Sequence, residues 1–325
     1  MKAIFFGSSE FSVPFLCAIH NSIHNISLVV TGTDKEQGRG KRVLPNPVKE
    51  CAESLNLCYL EVDDLNDRVI ENIAKKEFDC FVIVSFRKIL PEKLLNIAKE
   101  KTINLHPSIL PKYRGSSPII NALINGDTRT GISIIRITRE IDAGDVYLMT
   151  EFAIAEDDNK DALEEKIISI GIPLLIKVMD LIETGKITVF PQSKKNISYT
   201  GLFSKDELKI DWNRSADEIK NKVRAFSSSP GCFTNWKGKN IKVLNTSVCK
   251  DTKFSEFLKN KIRNGTIICA ERSGLFVKCG KKGKNNKHLI GTVVKIETLK
   301  PQGKNVMTFI DFINGYRIKP GDLFE

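Results

Sequence analysis

The stretch Thr102-Ile103-Asn104-Leu105-His106-Pro107-Ser108-Ile109-Leu110-Pro111-Lys112-Tyr113-Arg114-Gly115-Ser116-Ser117-Pro118 decides the fold. Its first five residues form a short apolar segment in which Asn104 and His106 stand two apart, so on a β-strand both side chains leave from the same face. Pro107 cannot donate to a ladder and Pro111 follows, so the strand ends here with the pair at its carboxyl end. In open α/β sheets that end is where ligands bind.

Toward the amino terminus, apolar strand-like runs alternate with helical patterns: KAIFF, a helix after Ser8-Ser9, ISLVV, a helix around 47–56, FDCFVIVS and a helix near 91–100. This rhythm predicts an α/β fold, a Rossmann-like, doubly wound, mostly parallel sheet. No Gly-x-Gly-x-x-Gly follows Gly7, so the pyrophosphate turn of a dinucleotide fold is missing.

Toward the carboxyl terminus, GISIIRI (131–137) and DVYLMTEFAI (145–154) read as two strands added at a sheet edge, joined by a polar loop that holds Asp142. Asp157, Asp158 or Asn159 is placed to cap a long helix reaching about Glu183, and Pro173 within it predicts a kink or a break. Lys186 to Lys209 is polar and reads as a connection between domains. SADEIKNKVRAF (215–226) is helix-like, capped by Ser215. The short runs CFTNW, KNIKVLNT, GTIICA, GLFVKC, IGTVVKIETL and YRIK, separated by Gly, Asn and Lys, indicate a small OB-like C-terminal β-barrel. The expected division is a domain over 1–189, a linker over 190–206 and a barrel over 207–325.

The 325 residues, 41% hydrophobic and 27% charged, suit a folded chain of two domains. MKAIFFGSSE is too short and too interrupted for a signal peptide, and no run of 18 or more apolar residues occurs, so a cytoplasmic protein without a membrane span is expected. The eight cysteines contain no Cys-x-x-Cys pair, and the four histidines form no ligand set, so reduced thiols and no metal are expected. His20 and His24 read as helix-end or loop residues. Residues 1–200 hold 25 Lys and Arg against 27 Asp and Glu, whereas residues 201–325 hold 25 against 12. A basic excess confined to one part is the footprint of a segment that meets a polyanion, with compositional bias as the alternative. Lys278, Lys281, Lys282, Lys284 and Lys287 form a basic turn that suits nucleic acid and a solvated hairpin tip equally.

An amide beside an imidazole suits the donation of hydrogen bonds to an oxygen that becomes negative during attack on a carbonyl-type carbon. Histidine also moves protons near neutral pH. Asp142 completes the set, able to orient the imidazole or to accept the proton of an attacking amine.

Asn104-x-His106, then Ser108-Ile109-Leu110-Pro111-Lys112-Tyr113-Arg114-Gly115, then Asp142-x-Gly144-Asp145 resembles the formyltransferases that use 10-formyltetrahydrofolate. Gly38-Arg39-Gly40-Lys41-Arg42, Ile210-Asp211-Trp212, Arg224-Ala225-Phe226 and Asn314-Gly315-Tyr316-Arg317-Ile318 are similar to the members of that family that formylate initiator methionyl-tRNA. The resemblance implies Asn104, His106 and Asp142 as the catalytic set of residues 1–189. It implies 10-formyltetrahydrofolate as cosubstrate, lined by Ser108, Ile109, Leu110, Pro111, Arg114 and Gly115. It further implies tRNA or aminoacyl contacts from Phe11, Gly38, Arg39, Lys41 and Arg42, tRNA binding by the basic barrel, and a monomer. Ser85-Phe86-Arg87 departs from the family, which usually has a small residue, an aromatic and a glycine there. An amino sugar or water as formyl acceptor, and an RNA-binding protein without activity, are the competing readings.

Overall fold

The computed structural model describes all residues except 38–41, 99–100, 228, 252–253, 255–257, 259–261 and 282–290, and only the backbone of 35–37 and 42–44. Gly38, Arg39 and Lys41 of the expected tRNA loop, and Lys282, Lys284 and Lys287 of the basic turn, therefore lie outside the described residues. So does the side chain of Arg42.

Two compact units make up the chain. The first comprises residues 1–118, 129–153 and 164–200, and the second residues 119–128, 154–163 and 201–325. The first unit runs β1 (Lys2–Gly7), α1 (Val13–His20), β2 (Asn25–Gly32), the short β3 (Lys35–Gln37) and β4 (Arg42–Leu44), α2 (Pro47–Ser54), β5 (Tyr59–Val62), α3 (Asp67–Ala74), β6 (Cys80–Val84), α4 (Glu92–Ile97) and β7 (Thr102–His106). Along the chain then come β8 (Arg114–Gly115), α5 (Pro118–Ile124), which belongs to the second unit from residue 119, β9 (Arg129–Ile135), β10 (Val146–Ala153), α6 (Lys160–Glu183), whose first residues through 163 also belong to the second unit, and β11 (Tyr199–Thr200).

The main sheet has the order β10-β9-β7-β6-β1-β2-β5. Its five strands from β7 to β5 are parallel, and β9 and β10 add an antiparallel edge. This is the expected doubly wound, mostly parallel sheet, and its central strands β1 and β6 are buried throughout apart from Lys2, as parallel strands covered on both faces must be. Ile4 and Phe6 of β1 share a face with Phe81 and Ile83 of β6 and pack with Ile70 and Ile73 of α3 and Leu94 of α4. On the other face α6 closes on Leu105 and Phe15, where a Cβ added to Gly171 would stand 3.1 and 3.2 Å from their side chains.

Sequence reasoning assigned nothing to residues 59–74, which form β5 and α3. β5 is an edge strand with one fully buried residue, so its apolar signal is faint. Asn159 is the cap of α6, its side-chain oxygen accepting from the Ala162 N–H at 2.9 Å. Pro173 neither breaks nor ends that helix, which continues to Glu183. Buried Leu163, Ile167, Leu175, Val178 and Met179 hold its two halves in place.

The second unit continues with α7 (Ala216–Ala225), β12 (Cys232–Trp236), β13 (Lys239–Cys249), β14 (Ile267–Glu271), β15 (Gly274–Lys281), β16 (Gly291–Pro301), β17 (Met307–Thr308) and α8 (Phe309–Tyr316). Ser215 and Glu218 form a reciprocal cap on α7. The antiparallel sheet runs β12-β13-β16-β15-β14, with β17 on β16, and register shifts in β13, β14 and β15 curl it. The carboxyl-terminal residues join its two edges. Glu325 exchanges backbone hydrogen bonds with Asn235 of β12 at 2.9 Å each way, while Phe324 donates to Gly265 and the Ile267 N–H of β14 donates to Asp322. The expected barrel character is met in this way.

The YRIK strand is a correction. Tyr316 ends α8 and Arg317 takes the left-handed conformation that stops it. The reciprocal cap between Thr308 and Asp311 starts a helix there, and burial of Phe312 against the Trp236, Tyr316 and Phe324 rings holds it.

All eight cysteines are free thiols. Burial pushes Cys80, Cys232 and Cys279 up to about 12, so they stay protonated near neutral pH. Among the described residues no helix is long and apolar enough to cross a membrane.

Candidate active site

The strand β7 pairs in parallel with β6, Asn104 opposite Ile83, and antiparallel with β9, His106 opposite Ser133. Both polar side chains thus sit at the carboxyl end of the parallel set. After Pro107 the chain folds back at once. Ser133 Oγ donates to the Ser108 carbonyl at 2.7 Å and accepts from the Leu110 N–H at 3.1 Å, while Ser108 Oγ donates to the Lys112 carbonyl at 2.6 Å. Tyr113, in the left-handed conformation at φ 63°, turns its carbonyl toward His106.

His106 is 4% exposed. Its Nε2 lies 2.9 Å from the Tyr113 carbonyl oxygen, and since a carbonyl only accepts, Nε2 carries the proton. That leaves Nδ1 facing Asp142 Oδ2 at 3.4 Å. Asn104 Nδ2 donates to Asp142 Oδ1 at 3.3 Å, and the Gly115 N–H donates to Asp142 Oδ2 at 2.7 Å. The three expected residues therefore converge, the Asp142 carboxylate accepting from Asn104 and Gly115 and facing His106 Nδ1, with Asn104 half-buried. An amide N–H, an imidazole proton carrier and a carboxylate within one cluster are equipped for acyl transfer.

Gly115 is required at its position. It takes φ 107°, and an added Cβ would fall 2.2 Å from the Thr200 carbonyl oxygen of β11, which pairs in parallel with β8. Ser108, Leu110, Pro111 and Arg114 are buried, and Ile109 and Gly115 are half-buried around the same turn. Arg114 spends its guanidinium on neighbours: Gln192 Oε1 at 2.9 and 3.2 Å, Glu140 at 2.7 Å and the Tyr199 hydroxyl at 3.3 Å. Phe11 is half-buried in the turn over 10–12, with its ring 5.4 Å from that of Phe15. In the segment that departs from the family, Ser85 takes positive φ, at 51°, and Arg87 does not, so arginine in place of glycine carries no backbone strain.

Sequence reasoning missed Ser133 and Gln192. Ser133 lies inside an apolar strand, and Gln192 lies within the segment read as a connection, so neither has a local signal. Their bonds exist only because β9 and residues 190–200 return to the β7 turn.

Residues 1–179 match the formyl transferase family and residues 203–317 match its C-terminal domain. The methionyl-tRNA formyltransferase of Sulfurihydrogenibium sp. is 38% identical over the whole of both chains, and that of Fusobacterium nucleatum is 36% identical over 99% of each. Among solved structures, the sugar 3N-formyl transferase WlaRD shares the fold with a TM-score of 0.65 at 20% identity, covering 94% of this chain and 99% of its own. The chain belongs to the methionyl-tRNA formyltransferase family.

Proposed function

We propose that this enzyme transfers the formyl group of 10-formyltetrahydrofolate to the α-amino group of initiator methionyl-tRNA, in the cytoplasm. The amine attacks the formyl carbon and gives a tetrahedral adduct with a negative oxygen and a positive nitrogen. Asn104 keeps one Nδ2 hydrogen on Asp142 and turns the other to the oxyanion. His106 takes the surplus proton from the attacking nitrogen at Nδ1, beside the Asp142 carboxylate, and returns it to the folate nitrogen as that bond breaks. Formyl-amide and tetrahydrofolate leave, and the residues end in their starting protonation states.

The convergence of Asn104, His106 and Asp142 on one strand end carries this reading. The basic excess of residues 201–325 supports a polyanionic acceptor rather than an amino sugar. The test is transfer of labelled formyl from the folate donor to charged initiator tRNA, with uncharged tRNA and an amino-sugar nucleotide as competitors. Losing one oxyanion donor costs on the order of 10²–10³ in turnover. Asn104→Ala is expected to lose that much while remaining folded, and near-normal turnover in that variant would remove Asn104 from the mechanism.

A further inference from the structure

Asp142 holds a left-handed backbone conformation, φ 49°, in the region that aspartate enters more readily than most non-glycine residues. One side chain bonds the backbone carbonyls of this turn. Gln192 Nε2 donates both its hydrogens, to the carbonyl of Asp142 at 2.7 Å and to the carbonyl of Gly144 at 2.8 Å. Its Oε1 accepts from Arg114 Nε and Nη2. The amide orientation is fixed by these partners. Reversed, it would set its oxygen against two carbonyls and its NH2 against a guanidinium.

The clamp is anchored in turn. Arg114 is 4% exposed, and its Nη1 reaches Glu140 Oε1, which also accepts from the Tyr199 hydroxyl at 3.0 Å. The backbone of Arg114 is held by the Ser198 carbonyl at 2.9 Å. Within residues 190–200, the Gln192 amide bonds the Asp142 loop, at the Asp142 and Gly144 carbonyls, and the residue just before Gly115. Gly115 is itself the donor to Asp142.

We propose that Gln192 is a positioning residue for formyl transfer, setting the Asp142 carboxylate against Asn104 and His106; this rests on the catalytic roles given above. Gln192 touches neither the reacting atoms nor any of the three side chains. Its removal leaves the carboxylate its bonds from Asn104 and Gly115 but loosens the backbone that carries it, and misplacement by about 1 Å costs on the order of 10² in rate.

The experiment is steady-state kinetics on the full chain with formyltetrahydrofolate and charged initiator tRNA, for wild type, Gln192→Met, Gln192→Glu and Asp142→Asn. Gln192→Met keeps the volume without hydrogen bonds. Gln192→Glu keeps the Arg114 partner and loses both donors. Both are expected to lose roughly 10–10² in kcat with KM for either substrate nearly unchanged, and to shift the kcat–pH profile because the partner of His106 has moved. A role confined to stability would lower the melting temperature and leave the pH profile in place, which overturns the proposal, as does a rise in KM with kcat intact. Circular dichroism identifies any variant that fails to fold, and the other then decides. If Asp142→Asn keeps wild-type speed, the catalytic roles themselves fail. If it is slow while folded Gln192→Met and Gln192→Glu are not, only the positioning role fails.

Discussion

Gly115 shows how tightly one residue is committed. Its N–H holds Asp142, its φ excludes ordinary side chains, and the space a Cβ would need is taken by the Thr200 carbonyl. Gly115→Ala is expected to destabilise the first unit by about 1–3 kcal/mol, the cost of a strained backbone position, and to slow turnover by displacing the Asp142 donor. Chemical denaturation read by tryptophan fluorescence would follow the second unit, which holds Trp212 and Trp236, so near-ultraviolet tyrosine signals or hydrogen exchange at residues 102–115 are the better readout. Unchanged exchange there would count against the assignment. Asn104 and His106 were legible in the sequence because a strand ending at proline and the motif that follows it stand next to them, where the Asn-x-His spacing alone is a weak signal. Gln192 was not, because its three partner residues stand between 48 and 78 positions away along the chain.

At the level of elements, the approach to the expected tRNA loop is organised by α2. Its cap Asn46 accepts from the Val48 N–H and the Thr31 hydroxyl and donates to the Gly32 carbonyl, tying the helix to the end of β2. Asp34 accepts from the Asn46 N–H at 2.8 Å and pairs with Lys49 at 3.0 Å, and these contacts, the backbone donor first, hold its carboxyl below the usual range. A carboxyl whose folded pKa is lowered contributes stability that is complete above its unfolded value and is lost as pH falls through the folded one. The melting temperature of Asp34→Asn should therefore lie below that of wild type near neutral pH, and the gap should close in acid. A gap that ignores pH would show that the charge plays no part.

Most elements were legible from apolar rhythm and caps, β7 and the long α6 above all. The exceptions have separate causes. β5 is short and half-exposed, and YRIK has strand-like residues that the Thr308–Asp311 cap commits to the end of a helix before their own preference counts.

For the whole molecule, the charge imbalance gives a prediction that a small uncharged acceptor would not. Residues 201–325 carry 25 basic against 12 acidic side chains, so association with tRNA should release counterions. The kcat/KM for charged tRNA is expected to fall by about tenfold or more between roughly 50 and 200 mM salt, while that for the folate donor changes little. Equal sensitivity for both substrates would point to a general effect of salt on the enzyme. The division into a parallel-sheet unit and an antiparallel one followed from the switch in spacing of apolar runs. The return of 119–128 and 154–163 to the second unit did not, since contacts between distant segments leave no local trace.

The union of β12 and β14 through Asp322, Phe324 and Glu325 has a further effect. Bare strand margins are templates on which neighbouring molecules polymerise, and a crowded cell offers many. By spending its own backbone donors and acceptors on both margins, the basic unit denies those docking points to strangers, leaving charge rather than sheet extension as its means of attraction.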